Sequence, residues 1–303
     1  FTMSENGRPS APNWFRRAVD VPAQSHFVDV EGCRIHYLSW FPGTAAIHDD
    51  RPGLLFVHGG GAHANWWRFI APFFAESHRV AAIDLSGMGD SGRREDYLPE
   101  TWAKEIGTVL EDGGLGLLPL VVGHSFGGLM TMKYGSEHGA KLSGAVIVDS
   151  PVQDPDGDPI PKPPESKKGG QKFYPDQASA RARFRLMPPQ DCENTYITDY
   201  IARTSITETD QGWTWKFDPD VMGSRRFGEP FNEELKALKC RAALIHGANS
   251  ALVSRRTAAY MSKLMGPSAP LVEIPEAHHH VMLDQPLAFV AALRAIPDGW
   301  SRS

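Results

Sequence analysis

Cysteine is scarce in this chain. Its 303 residues include three cysteines, Cys33, Cys192 and Cys240, an odd number that is spread widely along the sequence. That distribution excludes a disulfide framework, and no pair has the short spacing of metal-binding cysteines. We therefore expect reduced thiols and a cytoplasmic location.

An excess of positive charge and long apolar runs are also missing. The 31 Lys and Arg residues against 36 Asp and Glu give a net charge of −5, which is not the footprint of a protein that binds nucleic acid or an anionic membrane. The longest apolar stretches, such as residues 117–122, are too short to span a bilayer. Residues 1–20 have no apolar run of the signal-peptide type. The sequence therefore predicts no nucleic-acid partner, no membrane partner and no secretion.

What the sequence does contain is an alternation of strand and helix patterns. Short apolar runs that are typical of buried strands occur at residues 54–57, 79–84, 120–122, 142–148, 242–245 and 271–274. Helical patterns occur at residues 66–76, 99–111, 126–137, 254–265 and 285–295. A first pair of strands is predicted at residues 27–30 and 34–40. This alternation predicts an α/β fold with a mostly parallel central sheet and helices on both faces.

The alternation is interrupted between residues 151 and 230. This stretch has no clear strand pattern, and its first forty residues carry nine prolines. A structureless connection of that length is uncommon inside a compact domain. We therefore predict an inserted, mainly helical cap over residues 151–235, with helices at 178–186 and 195–205. In this interpretation residues 20–150 and 236–300 form the α/β core, and residues 1–19 are an N-terminal extension.

A Gly-x-Ser-x-Gly motif follows the strand predicted at residues 120–122. It reads Gly123-His124-Ser125-Phe126-Gly127 and leads directly into a predicted helix. In a sharp strand-to-helix turn the serine takes strained backbone angles and presents its hydroxyl, while the flanking glycines avoid Cβ clashes. The helix N-terminus also directs amide groups towards a developing oxyanion. We therefore predict that Ser125 is a nucleophile and that the Phe126 amide is an oxyanion donor.

A second glycine-rich turn, His58-Gly59-Gly60-Gly61, ends the strand predicted at residues 54–57. In this position the backbone supplies the other oxyanion donor. We assign that role to the amide of Gly60. The His58 side chain is predicted to brace the turn and to take no part in catalysis.

Together with residues 84–91 and 277–286, these motifs resemble the α/β-hydrolase superfamily, in the branch that carries a cap after the sixth strand. The matching stretches extend over nearly the whole chain. The resemblance implies the α/β-hydrolase fold and a histidine base near the C-terminus, five residues before an acidic residue that is followed by x-Pro. Asp284-Gln285-Pro286 therefore selects His279 from the run His278-His279-His280. The resemblance implies a structural role for Asp84 and its glycines.

The acid departs from the common pattern of the superfamily. Its usual place is the loop after the seventh strand, but residues 246–253 contain no carboxylate, and Ser250 stands at the expected position. Asp149 ends the sixth predicted strand. This placement is similar to haloalkane dehalogenases and zearalenone-type lactonases, which carry their acid there. The resemblance therefore implies a triad of Ser125, His279 and Asp149, and we expect replacement of Ser250 by alanine to be nearly silent.

These residues predict a serine hydrolase that cleaves a carboxylic ester or lactone of an apolar or aromatic small molecule. Its acyl-enzyme mechanism calls for no cofactor and no metal. Candidate pocket residues are the large aromatic side chains of Trp66, Trp67, Trp213 and Trp215. Two alternatives stay open: a C–C bond hydrolase or cofactor-independent dioxygenase of the same fold, and a non-enzymatic small-molecule receptor that retains the triad. The oligomeric state is not predicted.

Overall fold

The structure is a computed structural model that describes residues 10–40, 50–157, 159–160, 170–223 and 230–300. Its strands, in chain order, are β1 (Gln24–Val30), β2 (Cys33–Ser39), β3 (Gly53–Val57), β4 (Arg79–Ile83), β5 (Leu120–His124), β6 (Gly144–Val148), β7 (Ile206–Thr209), β8 (Gly212–Trp215), β9 (Arg241–Gly247) and β10 (Leu271–Ile274). Its α-helices are α1 (Asn13–Asp20), α2 (Pro99–Asp112), α3 (Phe126–His138), α4 (Gln177–Arg181), α5 (Thr195–Thr204), α6 (Pro219–Gly223), α7 (Asn232–Lys236), α8 (Arg255–Met265), α9 (Val281–Asp284) and α10 (Pro286–Trp300).

The central sheet has eight strands in the order β1-β2-β4-β3-β5-β6-β9-β10. The pairs β1–β2 and β2–β4 are antiparallel, and the pairs from β4 to β10 are parallel. Every residue of β3, β5 and β6 is buried, as expected for parallel strands covered on both faces. The prediction of an α/β-hydrolase fold with a mostly parallel sheet is confirmed.

Side chains alternate between two apolar clusters, one on each face of the sheet. Phe56 and Val122 belong to one cluster, whereas their neighbours Leu55 and Val121 belong to the other. This alternation follows from the two-residue period of a strand. Helices α2, α3, α8 and α10 cover the two faces close to the predicted bounds. Among the described residues we find no helix with the length and apolar character needed to cross a bilayer.

The single helix predicted at residues 66–76 is wrong. The chain forms two short 3₁₀ helices there instead, Ala64–Trp67 and Ala71–Phe74. Pro72 lies in the first turn of the second one. Because proline has no N–H group and is tolerated only at a helix start, it prevents one continuous helix through this region.

The segment between β6 and β9, which we call the insert, holds α4 to α7 and also a β-hairpin. The expectation of no strand in residues 151–230 is wrong, because β7 pairs with β8 in antiparallel fashion. Gly212, at φ 111°, takes the backbone angle that the hairpin turn requires. The helix predicted at 195–205 matches α5, whereas the one predicted at 178–186 is shortened to α4. Part of the predicted cap, residues 158, 161–169 and 224–229, lies outside the described residues.

Helix α1 lies within the predicted N-terminal extension and packs against both the core and the insert. Phe15 is buried, with its ring centroid 5.6 Å from that of Phe69 in the core and 5.0 Å from that of Tyr196 in the insert. Residues 1–9 of the predicted extension are outside the described part of the chain. The aromatic contacts of α1 thus join the insert to the apolar core.

Asp84, directly after β4, holds together the loops behind the glycine-rich turn. Its carboxylate lies 2.7 Å from His36 Nδ1 and accepts hydrogen bonds from the N–H groups of Ala64 at 2.5 Å and Asp90 at 2.8 Å. Burial favours a higher pKa for Asp84, but the neighbouring histidines, His36 foremost, outweigh it and lower the pKa to about 2. These contacts agree with a structural role for Asp84.

His63 connects this network to the insert and provides a test of stability. Its ring is buried, Nε2 lies 2.8 Å from Ser205 Oγ, and burial lowers its pKa to about 4. Between pH ~6.5 and pH 4 the unfolded chain therefore binds a proton at His63 that the folded chain does not bind. We expect the free energy of unfolding to fall as the pH drops through this window, by at most ~1.4 kcal/mol per pH unit for this group.

Urea unfolding of the wild type and of His63→Gln at pH 7 and pH 5 measures this contribution. The variant should lose less stability than the wild type between the two values, because glutamine does not titrate. Equal losses in both proteins would show that His63 does not carry the effect.

Candidate active site

Ser125 occupies a sharp turn between β5 and α3. Its backbone angles are φ 53° and ψ −122°, a region that costs free energy for a residue with a Cβ atom. A Cβ added to Gly123 would lie 2.4 Å from the Gly127 carbonyl oxygen, and one added to Gly127 would lie 2.4 Å from the His58 carbonyl oxygen. Gly123 therefore allows β5 to approach the start of α3, and Gly127 allows α3 to approach the end of β3.

His279 lies between Ser125 and Asp149. Its Nε2 is 2.9 Å from Ser125 Oγ, and its Nδ1 is 2.7 Å from Asp149 Oδ1. The network assigns the tautomer: Nδ1–H donates to the carboxylate, and Nε2 accepts the serine hydroxyl. His279 comes from the loop between β10 and α9, whereas Asp149 directly follows β6. The separation expected between Asp149 and His279 Nδ1, at most ~3.2 Å, is met.

Asp149 is completely buried and receives two further hydrogen bonds. The Gly247 N–H donates to Oδ2 at 2.8 Å, and the Ser250 hydroxyl donates to Oδ1 at 2.6 Å. Ser250 is therefore part of the site, and the expectation that its side chain is dispensable does not fit this contact. The sequence carried a signal for it, because Ser250 stands where the superfamily usually has its acid. The hydroxyl at that position contacts the displaced acid.

The neighbours of His279 have different surroundings. His278 is partly exposed, and both its N–H group and its Nδ1 face Asp284 Oδ2, at 2.7 and 3.2 Å. His280 is buried at the wall of the cavity described below, and sequence reasoning did not assign it to the site. His124 was also missed, although its Nε2 lies 3.0 Å from the carbonyl oxygen of His279.

The turn at residues 58–61 lies beside Ser125. His58 Nδ1 donates to the Gly59 carbonyl at 2.7 Å, and Nε2 accepts the Leu85 N–H at 3.0 Å. Complete burial lowers the pKa of His58, so the ring is neutral and can both donate and accept. Gly60 lines the same cavity as Ser125. Phe126 begins α3, and its ring packs edge-on against Trp102, with centroids 4.7 Å apart.

A cavity of about 260 Å³ opens over Ser125. Its remaining wall is mainly apolar and aromatic, with Phe184, Met187, Trp215 and Phe217 contributed by the insert. Trp66 also lines it, from the first 3₁₀ helix. The only charged side chains among its described lining residues are Arg183 and Arg185, which are exposed.

The assignment of Trp67 and Trp213 to the pocket is corrected by the structure. Trp67 is completely buried in the core and stacks on Phe56, with ring centroids 4.7 Å apart. Trp213 pairs through its backbone with Tyr174, at 2.8 Å in both directions. It lies two residues before Trp215 on β8, which displaces it ~7 Å along the strand.

The arrangement of these groups is that of an activated nucleophile. The hydroxyl, imidazole and carboxylate are hydrogen-bonded in series, and a glycine-rich turn and a helix N-terminus lie beside the hydroxyl. Such a series transfers the hydroxyl proton to the imidazole as the oxygen attacks an electrophile. Two groups of described residues also place three potential metal ligands within 4.8 Å: His124, His279 and His280, and His36, Asp84 and Asp90.

Comparison with known proteins agrees with this geometry. The model of the alpha/beta hydrolase family matches residues 54–293. Esterase Rv0045c of Mycobacterium tuberculosis is 25% identical over 256 residues, which cover 82% of this chain and 83% of the esterase. The monoacylglycerol lipase of Mycolicibacterium smegmatis is 30% identical over 142 residues, 45% of this chain and 49% of the lipase. The crystal structure of esterase Rv0045c superposes with a TM-score of 0.67 at 22% identity, covering 91% of this chain and 92% of that chain.

Proposed function

Since this chain belongs to the alpha/beta hydrolase family, with an esterase and a lipase among its relatives, we propose that it is a serine carboxylesterase or lactonase. The observation that carries the proposal is the contact series from Ser125 Oγ to His279 Nε2 and from His279 Nδ1 to Asp149 Oδ1, at 2.9 and 2.7 Å. The substrate is a small apolar or aromatic ester, because the cavity wall is mainly apolar.

In the proposed reaction Ser125 attacks the ester carbonyl while His279 Nε2 takes its proton. The amides of Gly60 and Phe126 hold the oxyanion of the tetrahedral intermediate. His279 then gives the proton to the leaving alcohol, and an acyl group remains on Ser125. Water hydrolyses this acyl-enzyme with His279 again acting as base. Asp149 keeps its negative charge throughout, holds Nδ1–H and stabilises the imidazolium.

The insert acts as the cap in this proposal, over residues 151–235. Its side chains Phe184, Met187, Trp215 and Phe217 line the same cavity as Ser125. Asp149 leads directly into it, so the acid and the cap share one connection. The insert therefore sets which acyl group fits.

A phosphonate trap combined with an ester panel tests this function. A p-nitrophenyl phosphonate should form one covalent adduct at Ser125, visible by mass spectrometry, and p-nitrophenyl esters should be hydrolysed by the wild type. Lactones assayed in parallel distinguish the two ester classes. Tight binding of a small molecule without turnover would favour a receptor, and C–C cleavage without ester hydrolysis would favour the other enzymatic alternative.

The two tryptophans of β8 form a matched pair for testing the cap. Trp215 lines the cavity, whereas Trp213 does not. We expect Trp215→Ala to shift the preference among acyl-chain lengths by ~10-fold in relative kcat/KM, since pocket contacts discriminate by 1–3 kcal/mol. Trp213→Ala should leave the ratios unchanged and lower the melting temperature instead. Identical selectivity of the two variants would show that the cap does not determine the substrate specificity of the enzyme.

A further inference from the structure

Three histidines form a buried cluster beside Ser125. His124 ends β5, and His279 and His280 are consecutive in the loop before α9. Their exposed fractions are 1%, 1% and 4%. One ring nitrogen of each lies within 4.8 Å of the others. The cluster therefore brings together three groups that are common ligands of transition metals.

The hydrogen bonds of two of these rings match those of metal-ligating histidines. Such histidines donate their second ring N–H to a carboxylate or a backbone carbonyl. His279 Nδ1 donates to Asp149 at 2.7 Å, and His124 Nε2 donates to the His279 carbonyl at 3.0 Å. The other nitrogen of each ring thereby carries a lone pair. In His124 this nitrogen, Nδ1, faces Gly59, which lines the cavity.

His280 provides an independent observation. Neither of its buried ring nitrogens has a hydrogen-bond partner among the described residues, a state that is costly unless a partner is gained. Both nitrogens of the His280 ring can therefore take a ligand at the cluster.

We propose that His124, His279 and His280 bind a divalent transition-metal cation, such as Zn²⁺ or Cu²⁺, at the base of the cavity. Zn–N bonds of ~2.0–2.1 Å in a tetrahedral site place the ligand nitrogens ~3.4 Å apart. The ring nitrogens, which lie within 4.8 Å of one another, must therefore approach by at most ~1.4 Å. The fourth position faces the cavity and takes water. Mg²⁺ and Ca²⁺ do not compete, because they prefer oxygen ligands.

Metal binding at this cluster switches off the proposed hydrolase. The lone pair of His279 Nε2 that accepts the Ser125 proton is the one that the metal takes. Ser125 then keeps its proton and loses its base. This consequence rests on the proposed function, whereas the binding site itself does not.

Equilibrium dialysis against Zn²⁺ tests the site without any activity measurement. Wild type and Ser125→Ala should each bind one Zn²⁺ per chain, because the serine is not a ligand. His280→Phe keeps an aromatic ring of similar volume but removes both ring nitrogens. It should weaken Zn²⁺ binding at least ~10-fold, because removing even a residue that only hydrogen-bonds to a metal ligand has an effect of that size. His278→Phe is the matched control and should bind like the wild type. Circular dichroism establishes that each variant folds, and His280→Gln replaces His280→Phe where it does not.

The same variants then separate binding from inhibition. In the wild type, Zn²⁺ should inhibit ester hydrolysis reversibly, with full recovery in EDTA, and Mg²⁺ should have no effect. The Zn²⁺ concentration for half-inhibition should rise at least ~10-fold in His280→Phe, relative to its own metal-free rate. Binding that is equally tight in His280→Phe, or no Zn²⁺ uptake by the wild type, would overturn the site. If Zn²⁺ binding depends on His280 but the protein does not hydrolyse esters, the metal site is supported and the proposed function is wrong.

Discussion

Replacing Ser125 or His279 with alanine should reduce kcat/KM for ester hydrolysis at least ~10³-fold, because nucleophile and base act as one unit. The double variant should be little worse than either single one, since losing one member already removes the function of the other. Steady-state hydrolysis of a p-nitrophenyl ester measures all three rates.

Two variants control for these losses. Ser136→Ala removes a hydroxyl of α3 that donates to the Lys133 carbonyl at 2.8 Å. His278→Ala removes the partly exposed histidine that precedes the base in sequence. Both should retain activity. If His278→Ala or His280→Ala abolished hydrolysis while His279→Ala did not, the base would be assigned to the wrong histidine.

Asp149→Asn should lower kcat by ~10²–10⁴-fold with little change in the fold. The amide keeps the shape of the carboxylate. However, its NH₂ group cannot accept a hydrogen bond from His279 Nδ1–H, and the amide has no negative charge to stabilise the imidazolium. Single-turnover kinetics and thermal unfolding together separate this effect from misfolding. Asp154→Asn removes a carboxylate that pairs with Arg256 instead and should be nearly silent. Full activity of Asp149→Asn would show that another group orients His279.

Ser250→Ala extends this test to the hydroxyl that contacts Asp149. The structure leads us to expect kcat/KM to fall by ~10- to ~150-fold, because a hydrogen bond to a charged group contributes ~1.5–3 kcal/mol. Ser250→Thr retains the hydroxyl and should recover most of the rate. An unchanged rate in Ser250→Ala would restore the expectation drawn from the sequence.

Local patterns predicted much of the fold. The buried parallel strands were identified because each is a short apolar run, and the covering helices α2, α3, α8 and α10 because their patterns are uninterrupted. The prediction of one helix at residues 66–76 was wrong because Pro72 prevents a continuous helix. The hairpin of β7 and β8 was missed because its strands have four residues each, which is too short for a clear alternation.

The sequence by itself determined Ser125 and its turn, because the motif and its flanking glycines act over five adjacent residues. The resemblance to the superfamily then implied His279 and Asp149 as its partners, because the superfamily places its base five residues before an acidic residue such as Asp284 and can carry its acid after the sixth strand. Only the tertiary structure decided how these residues meet, since Asp149 and His279 are 130 positions apart. The order β5-β6-β9-β10 brings together the carboxyl ends of four parallel strands. Packing around those ends then brings the Ser250 hydroxyl to Asp149 and places His124 and His280 beside His279. Packing also buries Trp67 in the core. The sequence did not predict these positions, because the direction of a side chain depends on neighbours that are distant in sequence.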